Sequence, residues 1–182
     1  MRFAVPLGSH ESQGVHQRAD PGGGGGSVSV EANASLREDE KAPEVPWEPR
    51  IVGFCCNWCS YAGADLAGTS RLAYPSNVKI IRVPCSGRVK PEFVLKAFQK
   101  GADAVLVAGC HPGDCHYTSG NFFTRRRFTL IKRLLEFVGI EPGRIHARWI
   151  SGSEGPKFAE VIREITDEVR RLGPFRRGEM AR

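Results

Sequence analysis

The sequence predicts an α/β fold: a small, doubly wound, four-stranded parallel sheet with a disordered N-terminal tail. Three observations carry that reading. Four short apolar runs alternate with four helical patterns, the first three of those runs end in cysteine, and the composition changes abruptly near residue 49. Alternation of this kind is the signature of βαβ crossovers, which are right-handed and cover both faces of a parallel sheet.

Residues 1–48 hold the Gly22–Gly26 run and scattered Ser, Asn, Gln and Glu, with no apolar period. Such a stretch buries too little surface to offset its ordering entropy. It reads as a disordered low-complexity tail, or as sequence ahead of a true start further in. The first strand is Ile51–Phe54. The helix expected over Ser60–Leu72 is weakened by Gly63 and Gly68, but its small residues let it lie close to the sheet. Val78–Val83 is the second strand. Pro91–Lys100 is a helix with proline in its first turn and Gly101 as its stop.

The third strand, Ala104–Ala108, is apolar throughout, as a central parallel strand is. A loop from Cys110 to about Asn121 leads to a helix over Thr124–Val138, with Phe128, Ile131, Leu135 and Val138 on one face. Ile145–Ile150 is the fourth strand and Pro156–Leu172 the last helix. The domain therefore spans 49–173, and 174–182 is a polar end. The expected strand order is 2-1-3-4, which sets a switch point between the first and third strands.

Charge divides along the same boundary. Residues 1–48 carry 4 Lys/Arg and 8 Asp/Glu, whereas 49–182 carry 22 and 12. A basic domain suits nucleic acid, an anionic cofactor or an acidic protein partner. The run Arg125-Arg126-Arg127 beside Phe122 and Phe123 raises the first option, but no nucleic-acid motif accompanies it. No nucleic-acid partner is expected, and these arginines are either a solvated face or an answer to a partner's acidic patch. No run approaches the ~18 apolar residues of a membrane span, and the first residues lack the layout of a secretory signal. No membrane partner is expected, and the expected compartment is the cytoplasm, where clustered cysteines bind metal or do redox chemistry.

All six cysteines lie at or just past the carboxyl ends of the first three strands: Cys55, Cys56 and Cys59, then Cys85, then Cys110 and Cys115. Those ends meet at one edge of the sheet. Four converging thiolates can hold a [2Fe–2S] cluster, a [4Fe–4S] cluster or zinc. Cys56-x2-Cys59 is a chelating spacing, and Cys110-x4-Cys115 is looser but feasible. A cysteine phosphatase is excluded, because its loop needs Arg six positions after the nucleophile and Tyr61 and Ala62 stand there. A stand-alone dithiol–disulfide oxidoreductase using Cys56 and Cys59 at a helix start survives as the alternative function, although it leaves Cys85, Cys110 and Cys115 unexplained.

Gly87, Gly109 and Gly113 would let backbone N–H groups approach sulfur, and Arg82 and Arg88 bracket Cys85. Gly87, Arg88, Gly109 and Gly113 are thus the expected cofactor-binding positions. His111, Asp114 and His116 flank the same loop, as ligands, proton donors or ordinary loop residues.

The segments Phe54-Cys55-Cys56-Asn57-Trp58-Cys59-Ser60-Tyr61-Ala62-Gly63-Ala64-Asp65, Arg82-Val83-Pro84-Cys85-Ser86-Gly87-Arg88 and Gly109-Cys110-His111-Pro112-Gly113-Asp114-Cys115-His116-Tyr117 closely resemble the delta subunit of methyl-viologen-reducing hydrogenase. The resemblance runs from about Pro49 to Gly173. It implies a [2Fe–2S] electron-transfer subunit of anaerobic metabolism, an oxidoreductase component with no substrate chemistry of its own. Its implied partners are the flavin subunit of heterodisulfide reductase and, as electron donor, hydrogenase or formate dehydrogenase subunits. The implied metal ligands are four of Cys55, Cys56, Cys59, Cys85, Cys110 and Cys115, with Cys56, Cys59, Cys85 and either Cys110 or Cys115 favoured. Pro112 replaces the family's usual Leu, which stiffens the loop and removes no ligand.

Overall fold

The computed structural model describes residues 47–176, so the expected tail falls outside the described residues except for its last two positions, as do residues 177–182. β1 (Ile51–Cys56), β2 (Val78–Val83), β3 (Ala104–Gly109) and β4 (Ile145–Trp149) form one parallel sheet in the order β2-β1-β3-β4. The expected class and strand order are those observed. The intervening helices are α1 (Ser60–Thr69), α2 (Pro91–Gln99), α3 (Gly120–Phe137) and α4 (Gly155–Leu172). Among the described residues no helix is long and apolar enough to cross a membrane.

The period-two alternation of β1 and β3 splits the core into two layers. Ile51, Cys55, Ala104, Leu106 and Ala108 pack with Phe158, Ile162 and Ile165 of α4 and with Ala64 and Ala67 of α1. Phe54, Val105 and Val107 face the other way, against Val94 and Phe98 of α2 and Ile131 and Leu135 of α3. β3 is buried along its whole length, as its uniform apolarity requires.

Three boundaries differ from expectation by two residues or more, the others by at most one. β1 runs two residues further, through Cys55 and Cys56, because Cys55 and Cys56 stay in register with Arg82 and Val83. α1 stops at Thr69 rather than Leu72. Arg71 turns to φ 54°, its N–H donates to Gly68 O, and that of Leu72 donates to Ala67 O, which is a Schellman ending. α3 starts four residues early, at Gly120, despite the low helix propensity of Gly and Asn. The compensation lies in the crevice described below.

The segment just past α4 is tied down at the amino ends of the strands. Buried Arg144 ion-pairs with Glu141 and donates to the carbonyls of Asp103 and Gly173. Phe175 donates its N–H to Asp103 and sets its ring 5.4 Å from that of Phe98, so residues just past α4 still contribute to the core.

The helix glycines separate cleanly. A Cβ at Gly63 would lie 2.7 Å from Ser151 O and 3.1 Å from Ile150, whereas one at Gly68 would meet nothing within 4 Å. G63A is therefore expected to destabilise by about 1–3 kcal/mol through overpacking. G68A is expected to stabilise by about 0.5–1 kcal/mol through helix propensity. Denaturation midpoints of the two variants check the opposed signs.

Candidate metal centre

Because β1 and β3 are neighbours and β2 flanks β1, their carboxyl ends open onto one crevice. Cys56 is the last residue of β1, Cys85 follows β2, Cys110 follows β3, and Cys115 closes the next loop. Cys56 Sγ lies 3.6 Å from Cys110 Sγ, and Cys85 Sγ lies 3.9 Å from Cys115 Sγ. Cys59, the N-cap of α1, adds to the raising of the Cys110 thiol, and the charge of Cys56 reaches Cys85; both pairs lie on the same edge of the sheet. Five of the six sulfurs thus come from three neighbouring strand ends, four of them in two close pairs.

Cys55 is separate from them. The pleat sends it to the α1/α4 side, where it is fully buried among Ala64, Leu106 and Phe158. Burial pushes its thiol up to about 12, against a hydrogen bond from Ser60 that lowers it. Among the described residues, no three His, Cys, Asp or Glu side chains converge tightly enough to hold a single ion. The sulfurs are gathered as pairs.

The charges within the site are uneven. Burial drives the Cys110 thiol well up, and its neighbours Cys59 and Cys56 add to the effect. Cys85 is also raised by burial, against one N–H bond from Gly87. Burial acts on Cys115 in the same direction but is outweighed. The N–H groups of Tyr117, Asn121 and Gly120 all donate to its sulfur, with a further bond from Cys85, and hold it below the usual thiol value. The first turn of α3 therefore spends its free donors on sulfur, which is why the helix begins at Gly120.

Gly120 was not legible from motif spacing. A Cβ there would sit 2.3 Å from Cys85 Sγ and 3.1 Å from Cys115 Sγ. Its partner is Gly87, whose Cβ would meet Gly120 O at 2.7 Å. Arg127 locks this approach by donating to the carbonyls of Gly87 and Val89 at 2.7 and 2.9 Å, and Thr124 Oγ1 reaches Ser86 Oγ at 2.8 Å. Buried Asn121 donates to the carbonyls of His111 and Cys110, at 2.6 and 3.3 Å, fixing the Cys110 loop from the same helix.

The other expected positions are spread around this centre. Gly109 meets Ser86 and Trp149 in close packing, and Gly113 supplies a loop turn at φ 98° with open space around it. Arg88 is exposed and lines a cleft of about 380 Å³ with Cys85, Tyr117, Gly120 and Phe123. Arg82 instead lies over the Tyr61 ring, 5.1 Å from its centre. His111 pairs with Glu154 at 2.7 Å. Glu154 also accepts the Ser151 N–H, and the two bonds, that of Ser151 foremost, hold its carboxyl down at about 2. His116 stacks on Trp58 with centroids 3.6 Å apart, which joins the Cys56–Cys59 turn to the Cys110–Cys115 loop. Asp114 is exposed in that loop. A cavity of about 500 Å³ between β1, β2 and α2 contains none of the cysteines.

The family described as "Methyl-viologen-reducing hydrogenase, delta subunit" matches residues 51–173. An F420-non-reducing hydrogenase iron-sulfur subunit from Archaeoglobus profundus is 58% identical over 130 residues, covering 71% of this chain and 95% of that protein. The F420-non-reducing hydrogenase vhc iron-sulfur subunit of Methanococcus voltae is 54% identical over 128 residues, covering 70% of this chain and 89% of its own length. In Methanosarcina acetivorans the matching protein is one subunit of the ferredoxin/F420H2-dependent CoB-CoM heterodisulfide reductase. It is 50% identical over 127 residues, which are 70% of this chain and 16% of that much longer one. The chain belongs to the methyl-viologen-reducing hydrogenase delta subunit family.

A methyl group at residue 120 must displace the Cys85 sulfur. If the crevice holds a metal, G120A is expected to retain less than half of the amount found in the anaerobically purified wild-type chain, with an unchanged far-ultraviolet circular dichroism spectrum. Elemental analysis checks this, and full metal content in G120A would contradict it.

Proposed function

We propose that this member of the family is a cytoplasmic electron-transfer subunit that holds one [2Fe–2S] cluster. In this reading it relays single electrons from a hydrogenase or formate dehydrogenase to the flavin-bearing subunit of a heterodisulfide reductase complex. The observation that carries the reading is the pairing of sulfurs at 3.6 and 3.9 Å. Two thiolates on one tetrahedral metal, with metal–sulfur bonds of about 2.3 Å, lie about 3.8 Å apart. Two pairs of that width on one sheet edge suit a two-iron cluster, whereas a single zinc needs all four sulfurs about one point. The donor set is soft and wholly sulfur, as iron–sulfur centres require.

The proposed ligands are Cys56 with Cys110 for one iron and Cys85 with Cys115 for the other. Cys59 is the fifth sulfur, beside Cys110, and Cys55 stays in the core. When bound, such a cluster supplies a one-electron couple. The chain's own residues set the charge around it. N–H donors from Gly87 to Cys85, and from Tyr117, Gly120 and Asn121 to Cys115, offset the negative charge of the thiolates. The positive end of α3 and exposed Arg88 act in the same direction, which favours the reduced state.

The relatives support the relay. Two of them are named as hydrogenase iron-sulfur subunits, and in the third the matching segment is part of a long heterodisulfide reductase polypeptide. A domain that stands alone in one protein and is built into a heterodisulfide reductase chain in another is expected to work against that chain. The six free cysteines suit a reducing compartment.

Anaerobically purified protein is expected to be brown and to contain iron and acid-labile sulfide in equal amounts, about two of each per chain. Dithionite should bleach it and produce an S = 1/2 paramagnetic signal. C56S, C85S, C110S and C115S are each expected to lower the iron content more than twofold, and C55S to leave it unchanged. A colourless protein with two reactive thiols at Cys56 and Cys59 would instead establish the dithiol oxidoreductase.

A further inference from the structure

α3 has two apolar faces, and the fold uses only one. Thr124, Ile131 and Leu135 are buried against the sheet. Phe123, Leu130, Leu134 and Phe137, spaced by seven, four and three residues, form a second stripe along about 21 Å of helix axis. Their exposures are 52%, 67%, 41% and 88%. Contiguous apolar surface of this kind marks an interaction site on a folded protein. Arg126 and Arg133 flank the stripe, and among the described residues neither has a carboxylate within ion-pair distance.

The stripe is also continuous with the sulfur site. Phe123 lines the cleft that contains Cys85 and Arg88. Exposed Tyr117 lines the same cleft and extends its apolar surface. Aromatic residues and arginine at the centre of an apolar patch are the composition of protein interfaces.

We propose that the outer face of α3, from Phe123 to Phe137, docks an apolar groove edged with carboxylates on the electron-accepting partner protein, and that docking seats the partner over the cleft beside Cys85. The identity of the partner rests on the relay reading above; the surface rests on the exposed stripe. The charge pattern selects the occupant. Two copies of this chain would bring like-charged arginines together, whereas an acid-rimmed groove neutralises them and covers the stripe at once. The same contact closes the cleft, so the shortest route between the partner and the buried sulfurs passes by Cys85.

The test uses the full, cluster-loaded chain and the flavin-bearing heterodisulfide reductase protein of the same host, purified with its flavin. Affinity is measured by calorimetry under anoxic conditions at low and high salt. L130S/F137S and R126E/R133E are each expected to weaken binding about tenfold or more, and the second should also flatten the salt dependence. Both variants alter only exposed side chains, and unchanged visible spectra verify the cluster. Wild-type affinity in both variants overturns the surface and leaves the relay intact. A wild-type chain that neither binds the flavoprotein nor reduces its flavin overturns the relay, and this surface with it. A wild-type dimer that L130S/F137S dissolves, or anionic vesicles that compete for the stripe, would overturn the choice of occupant.

Discussion

The structure depends on bringing two pieces of backbone and two sulfurs closer together than ordinary side chains allow. At Gly120 the first turn of α3 passes so near Cys85 and Cys115 that a methyl group has no room. Gly87 makes the reciprocal approach from the turn after β2. Removing both Cβ atoms lets the free N–H groups at the start of α3 reach Cys115 directly. The same contact lets Arg127 clamp the turn from the far side. A buried sulfur pair is electrostatically unfavourable once ionised, and these donors are what make it tolerable.

Around that contact the fold supplies convergence. Parallel strands deliver their carboxyl ends to one edge, and the order β2-β1-β3 places three of those ends side by side. Much of this was legible beforehand, because apolar runs of the right length alternate with amphipathic ones. Cysteine at the end of each of the first three runs then indicates a common destination. The all-apolar Ala104–Gly109 segment could only be a central strand, and it is.

The remainder was hidden for identifiable reasons. Cys55 and Cys56 are adjacent in sequence, and only knowledge that β1 extends through both tells one from the other, since the pleat sends them to opposite layers. The start of α3 was obscured because Gly120 and Asn121 are poor helix formers whose cost is offset by bonds to distant sulfur and to the Cys110 loop. The Cys56–Cys110 pair joins residues 54 apart, which no local spacing reveals. The signal that could have found Gly120 was a glycine five residues past a cysteine, in the loop leading into a helix, where a close sulfur–backbone approach is possible. The second face of α3 was read only at its start, where Arg125–Arg127 beside Phe122 and Phe123 stood as either a solvated face or an answer to a partner's acidic patch; Leu130, Leu134 and Phe137 were not singled out.

The central claim is that two sulfur pairs on one sheet edge grip two iron atoms, and iron K-edge X-ray absorption on the anaerobically purified chain addresses it directly. The account predicts an all-sulfur first shell together with an iron–iron scattering vector. A zinc edge with four sulfurs and no metal–metal vector would contradict it.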